Sequence, residues 1–284
     1  MMKNRTDLAL EMAESIGYGQ KNTLPDGIHT EERSIEEYTV TEIRVESEEG
    51  AQQLGKPMGR YITLDLHPYF RRQSGFFGRG VRCLAKELTT LLPGVGQDFS
   101  TLVVGLGNRA LTADAVGPLS IENLLVTRHM VTLLPLQFKT FSPVAAFSPG
   151  VTGSTGMETL EVLAGLVEKI KPAAVITVDA LAAQNRDRLC ATIQLGNTGL
   201  IPGSGVGNHR SAINQETLGI PVIAVGLPTV ISTTELGDKS EEELFLTPRD
   251  IDQRVRELSR LIGYGITSAL QPALTLEDIS GLLG

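Results

Sequence analysis

TLVVG, residues 101–105, is a short apolar run that ends at a glycine, and two similar runs follow it, AAVITV at 173–178 and PVIAV at 221–225. Runs of this length are typical of parallel strands that are buried on both faces. Amphipathic segments separate the runs, and they predict helices near 118–129 and over 157–170. The alternation predicts a doubly wound α/β fold with a mostly parallel sheet.

The residues before this region predict a small antiparallel addition to the sheet. Apolar residues alternate over 38–45 and over 61–67, which favours two paired strands. The segment 46–59 between them carries charges and several glycines, so we expect a long hairpin connection there. Residues 17–34 are predicted to be a loop. We therefore expect one three-layer α/β domain with an antiparallel embellishment at about 38–67.

Three further helices complete the predicted fold. The first covers 6–16 with Thr6 as its cap, and the second covers 81–92 and stops at Pro93-Gly94. The last begins at Thr247-Pro248, because a cap residue followed by proline favours a helix start.

Composition limits the classes of function. A net charge of −8 and a pI near 5.1 disfavour a nucleic-acid partner, because phosphate binding needs clustered Lys and Arg. Only two cysteines occur, Cys83 and Cys190, so neither a disulfide framework nor a multi-thiolate metal site is expected. The chain shows neither an apolar signal core near its start nor an apolar run of the roughly 18 to 20 residues that span a membrane. We expect a soluble cytoplasmic protein whose partners are proteins.

Two aspartates fall where an α/β sheet places its ligand crevice. Asp179 ends the run at 173–178, and Asp114 lies in the loop that leaves the run at 101–105. In one interpretation they are ordinary structural residues, a helix cap and a partner for loop amides, and position alone favours this. In the other they form a carboxylate pair that shares one proton and activates water. Carboxylate pairs also serve glycoside hydrolysis, so the bond that would be cut stays open.

Other candidate groups have weaker patterns. The histidines lack the spacing of a zinc site, the cysteines lie in apolar segments, and Ser204 lacks the spacing of a nucleophile elbow. These histidines are His29, His67, His129 and His209. Glycine-rich segments at 149–156 and 202–208 are either loops that let a substrate backbone approach or tight turns at strand ends. Acidic residues over 235–243 predict a solvated surface loop.

Ordered motifs across most of the chain resemble the germination proteases of endospore-forming bacteria. The motifs are Arg5-Thr6-Asp7-Leu8-Ala9, Gly55-Lys56 through Leu64, Gly105-Leu106-Gly107-Asn108, Thr112-Ala113-Asp114-Ala115-Val116-Gly117-Pro118, Val126-Thr127-Arg128-His129, Pro149-Gly150-Val151 with Gly156, Val178-Asp179-Ala180-Leu181-Ala182-Ala183, Pro202-Gly203-Ser204-Gly205-Val206-Gly207-Asn208 and Glu216-Thr217-Leu218-Gly219-Ile220-Pro221-Val222. The chain departs from the family pattern at Ala113, where proline is expected, and at Arg109-Ala110. Neither departure removes a catalytic group.

The resemblance implies an atypical aspartic endopeptidase that degrades small acid-soluble spore proteins, with a fold similar to that of hydrogenase maturation peptidases. Its catalytic aspartates would be Asp114 and Asp179, one activating water and the other, protonated, polarising the carbonyl. It further implies a zymogen that cuts itself between Asp7 and Leu8, so that residues 1–7 are a propeptide and 8–284 the peptidase domain. A homotetramer in the spore core or forespore is also implied. The hydrogenase maturation relatives bind nickel through acidic residues and a histidine, but no equivalent histidine can be placed near either aspartate of this sequence, so we expect neither a cofactor nor a metal.

Two alternatives to a spore protease stay open. One is a maturation peptidase for a metalloenzyme subunit, which predicts nickel-dependent recognition and a single cut near the carboxyl end of a client protein. The other is a non-catalytic α/β module that binds acidic or glycine-rich peptides. A chelator test addresses the first, and absence of N-terminal trimming would favour the second.

Overall fold

Nine strands form one mixed sheet within residues 6–19, 24–207, 210–236 and 244–284, which are the residues that the computed structural model describes. The strands are β1 (Ile28–Ile35), β2 (Tyr38–Val45), β3 (Gly59–Asp65), β4 (Thr101–Leu106), β5 (Val144–Gly150), β6 (Ala174–Ala183), β7 (Thr192–Gly196), β8 (Val222–Ser232) and β9 (Phe245–Leu246). Their spatial order is β1-β2-β3-β7-β8-β6-β4-β5, and β9 pairs with β8 outside this path.

The parallel half of the sheet contains the three apolar runs. β5, β4, β6 and β8 pair in parallel, and β4, β6 and β8 each begin within one residue of a predicted run. However, β6 continues to Ala183, because its last residues keep pairing with β8, for example Ala183 with Ile231. Asp179 therefore lies inside a strand and not after its end.

The antiparallel half is larger than predicted. β2 and β3 form the expected pair, in which Val40 lies opposite Leu64. β1 and β7 extend this pair on both sides, and β7 also pairs antiparallel with β8, so the two halves share one sheet. The predicted loop at 17–34 is wrong, because β1 occupies its second half. The only buried residues of β1 are those at its two ends, Ile28 and Ile35, so the strand lacks the alternation of apolar residues from which a strand is predicted.

Two groups of helices cover the sheet. The helices are α1 (Ala9–Ser15), α2 (Glu48–Leu54), α3 (His67–Phe70), α4 (Phe76–Thr89), α5 (Val116–Glu122), α6 (Arg128–Leu133), α7 (Thr152–Thr155), α8 (Thr159–Ile170), α9 (Gln215–Leu218), α10 (Ile251–Leu270) and α11 (Leu276–Leu283). On one face, α4, α5 and α10 enclose a core that includes Val103 and Ile176. The predicted α/β class with helices on both faces is confirmed.

The opposite face, which bears Val175 and Val222, is called the site face below. Here α8 and α9 cover the parallel half, while α1 and α2 cover Ile43 and Tyr61 in the antiparallel half. A cleft of about 470 Å³ lies between these two groups of helices. Residues of β6, β7 and β8 line this cleft.

Several helix boundaries differ from the sequence predictions. α1 begins at Ala9, and Thr6 does not cap it, because the Thr6 hydroxyl accepts a hydrogen bond from the backbone N–H of Leu8 at 3.0 Å. The predicted hairpin connection contains α2, whose first turn is capped by Ser47 Oγ accepting from Gly50 N–H at 3.0 Å. α4 begins at Phe76, five residues before the predicted start.

The predicted helix near 118–129 is divided into α5 and α6. Thr127 breaks it, because its backbone N–H bonds to the Val144 carbonyl and its hydroxyl donates to the Ser142 carbonyl. The last long helix, α10, begins at Ile251, since Pro248 forms a turn in which its carbonyl accepts from Ile251 N–H. α11, with its capping box at Thr275, was not predicted.

Candidate active site

Asp179 lies on the site face of β6 with little contact to solvent. The residue is 5% exposed, and its Oδ1 accepts a hydrogen bond from the backbone N–H of Ala180 at 2.9 Å. Burial raises the pKa of Asp179 well above its ordinary value, and the nearby charge of Asp114 raises it further. The Asp179 carboxyl group is therefore a site where a proton is held more strongly than in water.

Asp114 ends a short 3-10 helix (Thr112–Asp114) after the loop that leaves β4. Its Oδ2 accepts from the backbone N–H of Asn108 at 2.8 Å. The loop can fold back this closely because Gly107 has φ +106° and lacks a Cβ, which would lie 2.1 Å from the Asp114 carbonyl oxygen. Burial raises the pKa of Asp114, while the Asn108 N–H opposes the rise.

The structure brings the two aspartates together. Both line a cavity of about 330 Å³, which adjoins the larger cleft and shares Asp179 and Asp7 with it. Arg210 lines the same cavity and lowers the pKa of both carboxyl groups, and its Nη1 donates to Thr152 Oγ1 at 2.7 Å. Two interacting carboxyl groups beside one cation favour a state that holds a single shared proton.

The side chain of Asp7 occupies a polar pocket beside this pair. Its Oδ2 accepts from the backbone N–H of Ala182 at 2.9 Å, and its Oδ1 accepts from Ser204 Oγ at 2.6 Å. The backbone N–H of Asp7 donates to the Ala182 carbonyl at 3.0 Å. Gly205 forms the wall of the pocket, where an added Cβ would lie 2.2 Å from Asp7 Oδ2. The pocket therefore accommodates a carboxylate group directly against the backbone of Gly205.

The residues on either side of the Asp7–Leu8 bond are also held. The carbonyl oxygen of Asp7 accepts from Lys56 Nζ at 2.9 Å and from Gln194 Nε2 at 3.0 Å. Leu8 is fully buried in an apolar cluster with Ala183, Leu189 and Ile231. Asp7 is thus bound in the cleft through both its side chain and its backbone, one residue before Leu8 enters the apolar cluster.

A family model described as germination protease matches residues 5–242. The chain belongs to the germination protease family. The matched range includes Asp7, Asp114 and Asp179, and the resemblance inferred from the sequence motifs is confirmed.

Full-length relatives support this membership of the germination protease family. The germination protease of Clostridium perfringens is 38% identical over 100% of both chains. That of Caldanaerobacter subterraneus is also 38% identical, with 98% of each chain covered, and that of Bacillus cytotoxicus is 40% identical over 97% of this chain and 76% of its own length. Among solved structures, the [NiFe] hydrogenase maturation protease HycI of Thermococcus kodakarensis matches at 17% identity, with 63% of this chain and 98% of that chain covered and a TM-score of 0.34.

The cysteines of this germination protease sequence and three of its histidines are not among the residues that line the cleft. Cys83 and Cys190 are buried, and burial raises the pKa of each thiol to about 12, so neither is a thiolate near neutral pH. His29, His67 and His129 are exposed on the surface, while His209 lies outside the described residues. Most of the acidic stretch, residues 237–243, also lies outside them.

Two other kinds of feature are absent from the part of the chain that the structure describes. No group of three or more His, Cys, Asp or Glu side chains among these residues is placed to hold a metal ion. Within the same ranges, no helix is both long and apolar enough to cross a membrane.

Three residues that line the cleft or the adjoining cavity were missed as functional candidates in the sequence. Lys56 stood inside a motif of the resemblance, in a segment that was predicted to be a hairpin connection and carried no sign of a functional side chain. Gln194 lies in β7, a strand that was itself not predicted, and Arg210 follows a glycine-rich segment without any recognisable pattern. Only the contacts of these residues with Asp7 or the aspartate pair identify them.

Proposed function

We propose that this chain is a self-processing aspartic endopeptidase that begins the degradation of small acid-soluble spore proteins during germination, with Asp114 and Asp179 as its catalytic pair. The observation that carries the proposal is the position of the Asp7–Leu8 segment. Asp7 lines both cavities next to Asp179, and its backbone and side chain are bonded as a bound substrate would be.

The chemistry follows from one proton shared by two carboxyl groups. The ionised carboxylate accepts a proton from water, whose oxygen attacks the carbonyl carbon of the residue before the cut. The protonated carboxyl group supplies a proton to the departing amine when the C–N bond breaks. Raised pKa values for both aspartates support this division, because a pair with ordinary pKa values would be doubly ionised near neutral pH.

The pockets around the Asp7–Leu8 bond support cleavage after an acidic residue and before an apolar one. The acidic side chain is bound by the Ala182 N–H and Ser204 Oγ, and the following side chain enters the apolar cluster around Leu189 and Ile231. Ala9, the next residue, is fully buried, which favours a small side chain there. Substrate segments with an acid-apolar-alanine order would make the same contacts.

The same docking supports a zymogen in which residues 1–7 are the propeptide and residues 8–284 form the peptidase domain. While Asp7 and Leu8 fill these pockets, a second peptide has no access to them. We further propose a homotetramer in the cytoplasm of the spore or forespore. The net charge of −8 favours recognition of protein segments and disfavours direct contact with nucleic acid.

The decisive experiment is incubation of the purified full-length chain at mildly acidic pH, followed by mass spectrometry of its new N-terminus. We expect a chain that begins at Leu8. Asp114→Asn and Asp179→Asn should fold but retain residues 1–7, whereas Asp187→Asn, at an exposed aspartate that does not line the cleft, should trim normally. Normal trimming by either catalytic-site variant would refute the assignment.

The same preparation separates the two alternative functions. A maturation peptidase would lose activity with a nickel chelator and leave spore proteins intact, while the proposed peptidase would cut them at acid-apolar junctions. A peptide-binding module would bind a peptide with the sequence of residues 5–10 and never cut it. Mass spectrometry of that peptide after incubation distinguishes the two outcomes.

A further inference from the structure

The carbonyl oxygen of Asp7 has two strong donors that the paired-aspartate chemistry does not itself require. Lys56 Nζ lies 2.9 Å from this oxygen and Gln194 Nε2 lies 3.0 Å from it. One donor is a cation and the other a neutral amide. In an aspartic peptidase that polarises the carbonyl with its protonated carboxyl group, that carboxyl group would itself donate a hydrogen bond to this oxygen.

The position of Lys56 is energetically unfavourable for a lysine, because its ammonium group is buried. It follows Gly55, which ends α2 in the left-handed region at φ +74°, and from there its side chain reaches into the cleft. Burial lowers the pKa of Lys56, and the charge of Asp7 partly opposes this. Among the described residues, the hydrogen-bond partner of its ammonium group is a neutral carbonyl oxygen. Such a contact becomes stronger if that oxygen acquires negative charge.

Gln194 spans the bond that we propose is cut. Its Nε2 donates to the Asp7 carbonyl, and its Oε1 accepts from the backbone N–H of Ala9 at 2.6 Å. These two partners fix the orientation of the amide, because the reverse orientation would place oxygen against oxygen and N–H against N–H. A single side chain therefore holds the residue before the cut and the second residue after it.

The sheet places Gln194 and Asp179 on opposite sides of the same space. Gly226 of β8 is the register partner of Gln194 in β7 and also of Asp179 in β6. Residues in one row project from the same face, so both side chains rise from the site face on strands about 10 Å apart. Both line the cleft that contains Asp7.

We infer that Lys56 and Gln194 are the oxyanion-stabilising donors of this peptidase, an inference that rests on the proposed function and assigns the carbonyl oxygen to them. Water adds to the Asp7 carbonyl carbon and its proton passes to the ionised aspartate. The carbonyl oxygen becomes an oxyanion held by the Lys56 ammonium group and the Gln194 amide. The C–N bond then breaks, the carbonyl re-forms, and the protonated aspartate gives its proton to the nitrogen of Leu8. The products are a carboxylic acid at Asp7 and an amine at Leu8, with one water consumed.

This assignment differs from the expectation that the protonated aspartate polarises the carbonyl. The pair is left with proton transfer alone, and charge stabilisation comes from groups on α2–β3 and β7. Both donors already lie at hydrogen-bond distance from the oxygen before any charge develops, so little reorganisation accompanies the reaction.

The test uses the full-length chain and the rate at which it converts itself to the form that begins at Leu8. Lys56→Cys removes the ammonium group and should slow this conversion by at least about 10²-fold, the usual effect of losing one oxyanion donor. Alkylation of the introduced thiol with 2-bromoethylamine rebuilds a lysine-like ammonium group and should restore most of the rate. Ethylation adds the carbon chain without charge and should not. Cys83 and Cys190 are fully buried, which directs the reagent to position 56.

Controls separate chemistry from folding. Lys139→Cys, at an exposed lysine outside the cleft, should convert at the parental rate before and after either reagent. Gln194→Glu retains an acceptor for Ala9 but replaces the donor to the carbonyl by a second acceptor, so it should also be slower by about 10²-fold. Thermal unfolding of each variant reports whether the fold is retained, and rescue by the charged reagent itself requires a folded chain.

The outcomes distinguish this inference from the proposed function. If Asp114→Asn and Asp179→Asn stop conversion while Lys56→Cys and Gln194→Glu convert at the parental rate, the oxyanion assignment is overturned and the peptidase assignment stands. Equal rescue by ethylation and aminoethylation would also overturn it, because charge would then be irrelevant. Normal conversion by the aspartate variants would instead overturn the proposed function.

Discussion

Ser204 Oγ donates a hydrogen bond of 2.6 Å to Asp7 Oδ1, across 197 residues of sequence. The bond connects a glycine-rich loop after β7 to the residue that precedes the proposed cut. Because the opposite carboxylate oxygen is bound by the backbone of Ala182, Ser204 is the side chain through which the pocket can be altered without changing the sheet.

Ser204→Ala should weaken the preference for an acidic residue before the cut. One hydrogen bond to a charged group contributes about 1.5 kcal/mol, so we expect about a tenfold loss in kcat/KM for a Thr-Asp-Leu-Ala peptide. The matched Thr-Asn-Leu-Ala peptide should change little. Competition between the two peptides, followed by mass spectrometry, measures the ratio directly.

Two further variants serve as controls for that measurement. Gly205→Ala places a methyl group 2.2 Å from the position of Asp7 Oδ2 and 2.5 Å from the Ala182 Cβ, so it should reduce cleavage of both peptides. Ser74→Ala, at an exposed serine in the turn before α4, should leave the ratio unchanged. If Ser204→Ala keeps the parental preference for the Asp peptide over the Asn peptide, this pocket does not determine the specificity of cleavage.

Arg210 should set the pH range of activity. Its positive charge lowers the pKa of both Asp114 and Asp179, so its removal raises both. If the singly protonated pair is the active form, the alkaline limb of the rate profile for Arg210→Met should move to higher pH, because the last proton is lost later. Arg210→Lys keeps the charge and should keep the alkaline limb close to that of the parent. A shift toward lower pH would contradict this electrostatic role.

Asp179→Asn should stabilise the fold at neutral and alkaline pH. Burial raises the folded-state pKa of Asp179 above its unfolded value, so its stability contribution is complete below the unfolded pKa and is lost as pH rises through the folded pKa. Asparagine does not ionise, and each unit of pKa difference corresponds to about 1.4 kcal/mol, or roughly 2–4 °C in Tm. Calorimetry at fixed protein concentration should show the Tm of the variant exceeding that of the parent at pH 8 and converging with it near pH 4. A variant that is less stable at pH 8 would show that the buried carboxylate is compensated.

The central strands could be predicted from the sequence because their apolar runs are a local property. β4, β6 and β8 are buried on both faces, and such strands cannot carry polar residues along most of their length. β7 was missed for the opposite reason. It has only five residues, and the polar side chain of Gln194, which lines the cleft, interrupts its apolar pattern. β1 was missed because it lies at the sheet edge with charged side chains along its middle.

The sequence also identifies Asp114 and Asp179 as a candidate pair, but only through their positions relative to the apolar runs. Asp179 and Asp114 follow apolar runs, but an aspartate that caps a helix would occupy the same kind of position in the sequence. The tertiary structure distinguishes these cases, since burial and mutual charge raise the pKa of Asp179 and the Asn108 N–H orients Asp114 toward the shared cavity.

The amino-acid sequence by itself determined the α/β class, the strands at its centre, the family resemblance and the two aspartates, because apolar periodicity and short motifs are written in neighbouring residues. Only the tertiary structure decided that Asp7, Lys56, Gln194 and Ser204 meet around one peptide bond. These residues come from four separate segments, and strand register together with the cleft between α1–α2 and α8–α9 brings them within hydrogen-bond distance. Contacts of this kind depend on the packing of distant elements, which no local pattern encodes.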